Sequence, residues 1–379
     1  MNIFIHGVGV ANRGAELMLC AVLEQLRCRF PDARFAVDPA FGSYEQRAAY
    51  GLRTMMRLRR GVRSRLIDKL ASAGFRDLYG LMHDSEVDVV LDGSGFAYGD
   101  QWGPETCRVF SERCAHWKAN GATVVLLPQA FGPFENAEVK RAFAEMMKTV
   151  DRAYAREETS YRHVNAMTES SSILRKCHDF TNLVKGGTPP DQNLSERFAA
   201  IVPNQKVLAK GRSEDADIYV RLLVSVAECV RARGIEPVLV LHSAQGDRQI
   251  ADSIQSKIEE QLPCVEGLNG RELKAILGQA QLVAGSRFHS LVSALSQGVP
   301  CLATSWSHKY EELFREYGCP EYVLPIDVKR EDLETKIAEL SEGEKRDKVV
   351  RVLGERSGNF REEASRMFEE VGDLIAAKK

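Results

Sequence analysis

The chain has little of what marks a membrane span, a metal centre or a nucleic-acid surface. None of its apolar runs reaches the ~20 residues that cross a bilayer, so membrane contact, if any, is expected to be peripheral. Nine cysteines are scattered without a C-x-x-C pair, several of them inside apolar periodic stretches. That pattern excludes a zinc ribbon or disulfide framework and reads as buried thiols of a reducing compartment. A formal net charge of -2 lacks the basic excess of a nucleic-acid-binding protein. There is no GK[ST], and Gly14 lies too far beyond Gly9 for G-x-G-x-x-G, which excludes a P-loop and the dinucleotide fingerprint. The opening MNIFIHG enters a strand without the charged and apolar regions of a secretory signal, so a cytoplasmic location is expected. No cluster of His, Cys and carboxylates suggests a metal, and no cofactor is expected.

What remains is an ordinary globular composition in 379 residues, enough for two domains at roughly 150 residues each. Short apolar runs alternate with helical periodicity along the whole chain, the pattern of doubly wound α/β sheets. Asn2 to His6 reads as a strand and runs into a glycine-rich turn with Gly7, Gly9 and Gly14, followed by a helix over Glu16 to Phe30. Val87 to Leu91 is a buried strand ending in DGSG, and Ala122 to Leu127 one ending in PQAFGP. Loops at successive strand ends build a ligand-facing rim in this architecture. Asp92, Asp100 and Gln129 are the candidates there for contacting sugar hydroxyls, beside Gly93 and Ser94.

Asp151 to Ala155 is a further strand and delivers Arg156 to a helix start, where it can clamp an anion. Lys185 to Asn193, rich in Gly and Pro, is read as the link between an N-terminal domain over 1–186 and a C-terminal domain over 194–379. Between 53 and 69 lie Arg53, Arg57, Arg59, Arg60, Arg63, Arg65 and Lys69 with interspersed Leu and Met. A basic helix with an apolar stripe of this kind suits an anionic membrane surface, but Asp68 and Asp77 interrupt the charge and a solvated helix face is the favoured reading.

The densest chemistry lies between Leu273 and Tyr310. QLVAG reads as a buried parallel strand, and a helix starts near Arg287 with His289 two positions on. At the carboxyl end of such a strand, the next helix N-terminus offers unpaired N–H groups and partial positive charge. A guanidinium and an imidazole placed there make an anion site with acid–base capability.

Four stretches, GVGVANRGAE, DGSG with PQAFGP, AREETS, and GSRFHSLVSALSQGVP followed by Lys309, together resemble the polysaccharide pyruvyl transferase family. Many members carry N-x-G-D-E where this chain has Asn12, Arg13, Gly14, Ala15 and Glu16. The resemblance implies two Rossmann-like domains in a GT-B-like arrangement, with the active site in the cleft between them. It implies transfer of the pyruvate unit of phosphoenolpyruvate to a sugar acceptor, free or lipid-linked, as a cyclic ketal. By motif, Arg156, Arg287 and His289 match positions that hold phosphoenolpyruvate, with Phe288 contributing backbone. On this reading His289 is the general acid and Lys309 a supporting cation. Asp92 or Glu16 orients or deprotonates the acceptor, and Asn12, Gly14, Gly93, Ser94 and Gln129 line its side. Two alternatives stay open: a GT-B nucleotide-sugar glycosyltransferase, and a non-catalytic sugar- or anion-binding protein.

Overall fold

The computed structural model describes residues 1–56, 72–167, 172–205, 207, 213–242, 246–304 and 308–377. Two all-parallel sheets carry the fold. The first has eight strands: β1 (Asn2–His6), β2 (Arg34–Val37), β3 (Arg53–Met56), β4 (Leu81–His83), β5 (Val89–Asp92), β6 (Thr123–Gln129), β7 (Arg152–Ala155) and β8 (Leu174–Lys176), in the order β4-β3-β2-β1-β5-β6-β7-β8. The second has β9 (Phe198–Val202), β10 (Glu236–Val240), β11 (Cys264–Val265), β12 (Leu282–Gly285), β13 (Cys301–Thr304) and β14 (Val323–Leu324), ordered β11-β10-β9-β12-β13-β14.

Helices cover both faces, so every residue of β5, β6, β9, β12 and β13 is buried. This is why those strands read as continuous apolar runs and not as alternating ones. In each sheet the strand order reverses once, between β1 and β5 and between β9 and β12. At such a reversal the two crossovers leave to opposite faces, and the carboxyl ends of the strands open a crevice. The loop after β12 is the one that carries Arg287.

The basic stretch expected as a helix over 53–69 begins instead as a strand. β3 pairs with β2 and β4, and the Arg53 guanidinium donates to Asp77 (2.7 Å) and to the carbonyl of Leu81 (3.2 Å). Arg57, Arg59, Arg60, Arg63, Arg65 and Lys69 lie outside the described residues. Among those described, no helix is long and apolar enough to cross a membrane.

Contacts divide the chain differently from the expected 1–186 and 194–379. One unit comprises 1–11, 18–180 and 363–379, the other 12–17 and 181–362. The boundary falls before the Gly/Pro stretch because that stretch is held by the second unit. The Gly187 N–H donates to the Arg271 carbonyl, and Gly186 sits against Ala275. The last part of the helix Glu344–Ala376 returns to the first unit, where Phe368 packs on Phe180 and Glu370 accepts from the Tyr154 hydroxyl.

Candidate active site

In the second unit the chain leaves β12 through Ser286, which is wholly buried. Its carbonyl accepts from Asn204 Nδ2 and from the Tyr310 hydroxyl, each at 2.6 Å, and its own hydroxyl lies 2.6 Å from that of Tyr219. Three elements thus pin one peptide. Gly285 makes the close approach possible, because a Cβ there would meet the Val202 carbonyl of β9. The next residue, Arg287, occupies the N-cap position of the helix Phe288–Leu295. Its guanidinium is held by Asp247, a carboxylate with no exposure that also accepts from the Gln205 N–H. A charge-assisted bond of this kind fixes the direction of the fork.

His289 is half-buried, with the Phe288 ring edge-on at 5.4 Å. Lys309 lies over the rings of Tyr310 (4.9 Å) and Phe288 (5.9 Å). Residues 12–17 complete this surroundings. Gly14 is buried so close to His289 that a Cβ on it would overlap the imidazole Nδ1 and Cγ. Glu16, 2 % exposed, accepts from the Gly270 N–H and from Arg13, both at 2.9 Å.

A second imidazole, His242, follows β10. Burial pushes its pKa well below the ordinary value, and the neighbouring Arg287, His289 and Arg13 push in the same direction. It is therefore neutral at physiological pH. His242 Nδ1, Arg287 Nε, Ser290 Oγ and Thr304 Oγ1 are buried with no hydrogen-bond partner among the described residues. All four stand at, or in the first turn after, the carboxyl ends of β10, β12 and β13. Buried polar atoms are almost always satisfied, so a group of exceptions on one rim is the mark of a ligand or water site.

In the first unit Asp92 ends β5 and is wholly buried. It accepts from the Ser94 N–H (3.2 Å), the Ser94 hydroxyl, the Tyr98 hydroxyl (2.9 Å) and Gln129 Nε2 (3.0 Å). Gly7, at φ +75°, sits where a Cβ would strike Ser94, so the loops after β1 and β5 touch at the strand-order reversal. Gly93 packs on Val8, and in residues 12–17, which belong to the second unit, Asn12 Oδ1 accepts from the Gly14 N–H. Gln129 Oε1 is buried and has no partner among the described residues. Arg156, 6 % exposed, lies beside Asp179 (3.5 Å) and Glu157 (3.7 Å). Asp100 caps a turn through the N–H groups of Glu135 and Asn136.

Ser286, Arg287 and His289 are thus brought to one strand end with Gly14 beside them, while Asp92, Ser94 and Gln129 form a separate cluster in the first unit. Arg13, Asp247 and His242 stand at the site as well; Arg13 falls within the GVGVANRGAE stretch, whereas Asp247 and His242 carry no sequence motif. The strand-end position of His242 was their one visible signal.

A family model described as Polysaccharide pyruvyl transferase matches residues 12–308, well over half of the chain. Among solved structures, a putative UDP-N-acetylglucosamine 2-epimerase from Listeria monocytogenes is similar at 14% identity and TM-score 0.61, covering 97% of each chain. The UDP-GlcNAc 2-epimerase from Neisseria meningitidis bound to UDP-GlcNAc is similar at 11% identity and TM-score 0.59, covering 100% of each. Anabaena HepE in complex with UDP and glucose is similar at 13% identity and TM-score 0.59, covering 99% of each. Identities this low carry the fold alone, two Rossmann-like α/β units of the GT-B class.

Proposed function

The chain belongs to the polysaccharide pyruvyl transferase family, and on that premise we propose that it moves the pyruvate unit of phosphoenolpyruvate onto a sugar diol as a cyclic ketal, releasing phosphate. The acceptor is a polysaccharide or a lipid-linked precursor made at the inner face of the cell envelope. What supports this reading is the Arg287–His289 pair at a strand-order reversal, its guanidinium aimed by a fully buried Asp247.

The reaction needs cations for a carboxylate and a phosphate, one proton donor and one base. His289 donates the proton that converts the methylene carbon to methyl. One sugar hydroxyl attacks the adjacent carbon and loses its proton to a base. Phosphate leaves, and the second hydroxyl closes the ketal and gives up its own proton. Arg287 holds the donor's charge, with Lys309 as a supporting cation, and Arg156 is assigned to phosphoenolpyruvate by its motif alone. Asp92 is already filled by four donors, so it acts on an acceptor through Ser94 and Gln129, whose Oε1 is open to a hydroxyl.

Phosphate release from phosphoenolpyruvate on a panel of free and lipid-linked galactosides, glucosides and N-acetylmannosaminides tests the reading. Release should require an acceptor, and His289→Ala should lower turnover by roughly 100-fold or more. Full turnover in His289→Ala would remove that residue from the mechanism. The second reading, a nucleotide-sugar transferase, is consistent with the GT-B-like fold that the chain shares with structures holding UDP and sugar. Thermal shift separates the two, because stabilisation by UDP-sugars and none by phosphoenolpyruvate would select the second.

A further inference from the structure

Two glycines far apart in the sequence leave room for the same short segment. Gly14 lies against His289 so closely that the smallest side chain would overlap the ring. Gly270 approaches the segment from the opposite sequence direction, and a Cβ on it would lie 3.0 Å from the Arg13 carbonyl and 3.2 Å from Leu17 Cγ. Neither glycine has a positive φ, so each is required for space and not for backbone conformation.

Between them stands Glu16. Its Oε2 accepts the Gly270 N–H at the start of the helix Gly270–Gln279, where the partial positive charge of the helix end favours a carboxylate. The same oxygen accepts from Arg13, which ties the residues on either side of Gly14 together. Asn12 closes the other side, its Oδ1 accepting from the Gly14 N–H and its carbonyl from the Glu16 N–H at 3.0 Å each. The segment is braced by its own hydrogen bonds and fastened through Glu16 to the helix Gly270–Gln279, and what lies on it is an imidazole.

We propose that Asn12–Leu17 is a positioning element for His289, in which Gly14 sets the orientation of the ring and Glu16 anchors the segment to the helix Gly270–Gln279. Glu16 is then a positioning residue whose carboxylate is used by the fold, and the proton on the acceptor goes elsewhere. The catalytic consequence rests on the proposed pyruvyl transfer; the ring placement does not.

The test uses the full chain with 13C-labelled histidine, reading the Cε1–H correlation of His289 after assignment with His289→Gln. Gly14→Ala should move the His289 signal more than that of any other histidine. Glu16→Ala should move it less, and Glu16→Gln, which keeps a carbonyl oxygen facing Gly270, should return it towards wild type. In acceptor-dependent phosphate release, Gly14→Ala should lower kcat roughly 10- to 100-fold while the KM for phosphoenolpyruvate stays within about threefold, the signature of a misplaced group and not of lost binding.

An unmoved His289 signal in folded Gly14→Ala and Glu16→Ala overturns the proposal, as does identical behaviour of Glu16→Gln and Glu16→Ala. If Gly14→Ala fails to fold, the Glu16 pair decides alone. A moved signal in protein that neither binds nor consumes phosphoenolpyruvate would leave the positioning role standing and bring down the donor assignment.

Discussion

His242 makes the linkage between burial and pH concrete at a single side chain. Its imidazole has 4 % exposure and a pKa held well below 6.5, first by burial and then by Arg287, His289 and Arg13. In the unfolded chain it titrates near 6.5, so below that pH the unfolded state binds a proton that the folded state refuses. Stability is complete above about pH 6.5 and falls as pH drops, at about 1.4 kcal/mol per pH unit until the folded group titrates. The carboxylates with lowered pKa, Asp77, Glu86, Glu158 and Glu339, all act below this window. Urea unfolding of wild type and His242→Gln at pH 7.5, 6.5 and 5.5 checks it. The variant should lose less stability than wild type between 6.5 and 5.5, and parallel losses would exclude His242 as the source. Asp92 offers a comparison of opposite kind. Asp92→Asn replaces an acceptor-only oxygen by an amide that faces Ser94, Tyr98 and Gln129 donors. It should cost about 2–4 kcal/mol in the same unfolding experiment, because buried donors lose their partner.

Among elements, legibility followed burial. β1, β5, β6, β7 and β12 stand within a few residues of where their apolar runs predict them, because helices on both faces demand uninterrupted hydrophobicity. The missed strands are β3, β4, β8 and β11, at or next to a sheet edge, with two to four residues each. A strand such as RTMM carries no period, and its Arg53 resembles the start of the basic run that follows it. The site divides along the same line. Ser286, Arg287 and His289 were readable because one strand and one helix place them. Asp247 and Arg13 were not, since each arrives from another crossover and its partner is named only by three-dimensional proximity. The same distinction should appear in hydrogen exchange. Amides of β5, β6, β9 and β12 should exchange near the global unfolding limit, and those of β4, β8 and β11 faster by sub-global opening. Equal protection across either sheet would contradict this.

For the whole molecule, the largest departure from the expected plan is the ownership of the last residues. The tail reads as charged with regularly spaced Leu, Ile and Val, and nothing in that pattern names the surface it covers. Residues 363–379 nevertheless belong with the first unit. Ala364, Met367, Phe368, Val371 and Ile375 are buried, Phe368 meets Phe180 at 5.7 Å, and Glu370 and Asp373 pair with Arg152 and Arg29. Fully burying a large apolar side chain contributes about 1.5–3 kcal/mol. Phe368, Val371 and Ile375 alone then amount to a sizeable part of the 5–15 kcal/mol typical of a domain. Ending the chain after Glu362 should therefore destabilise the unit that begins at the opposite end of the sequence. Hydrogen exchange locates the damage: β7 and the stretch around Phe180 should lose protection, whereas β9, β12 and β13 should keep theirs. Loss confined to the second unit would mean that the terminal helix supports β9 to β14 and not the sheet its buried face is packed against.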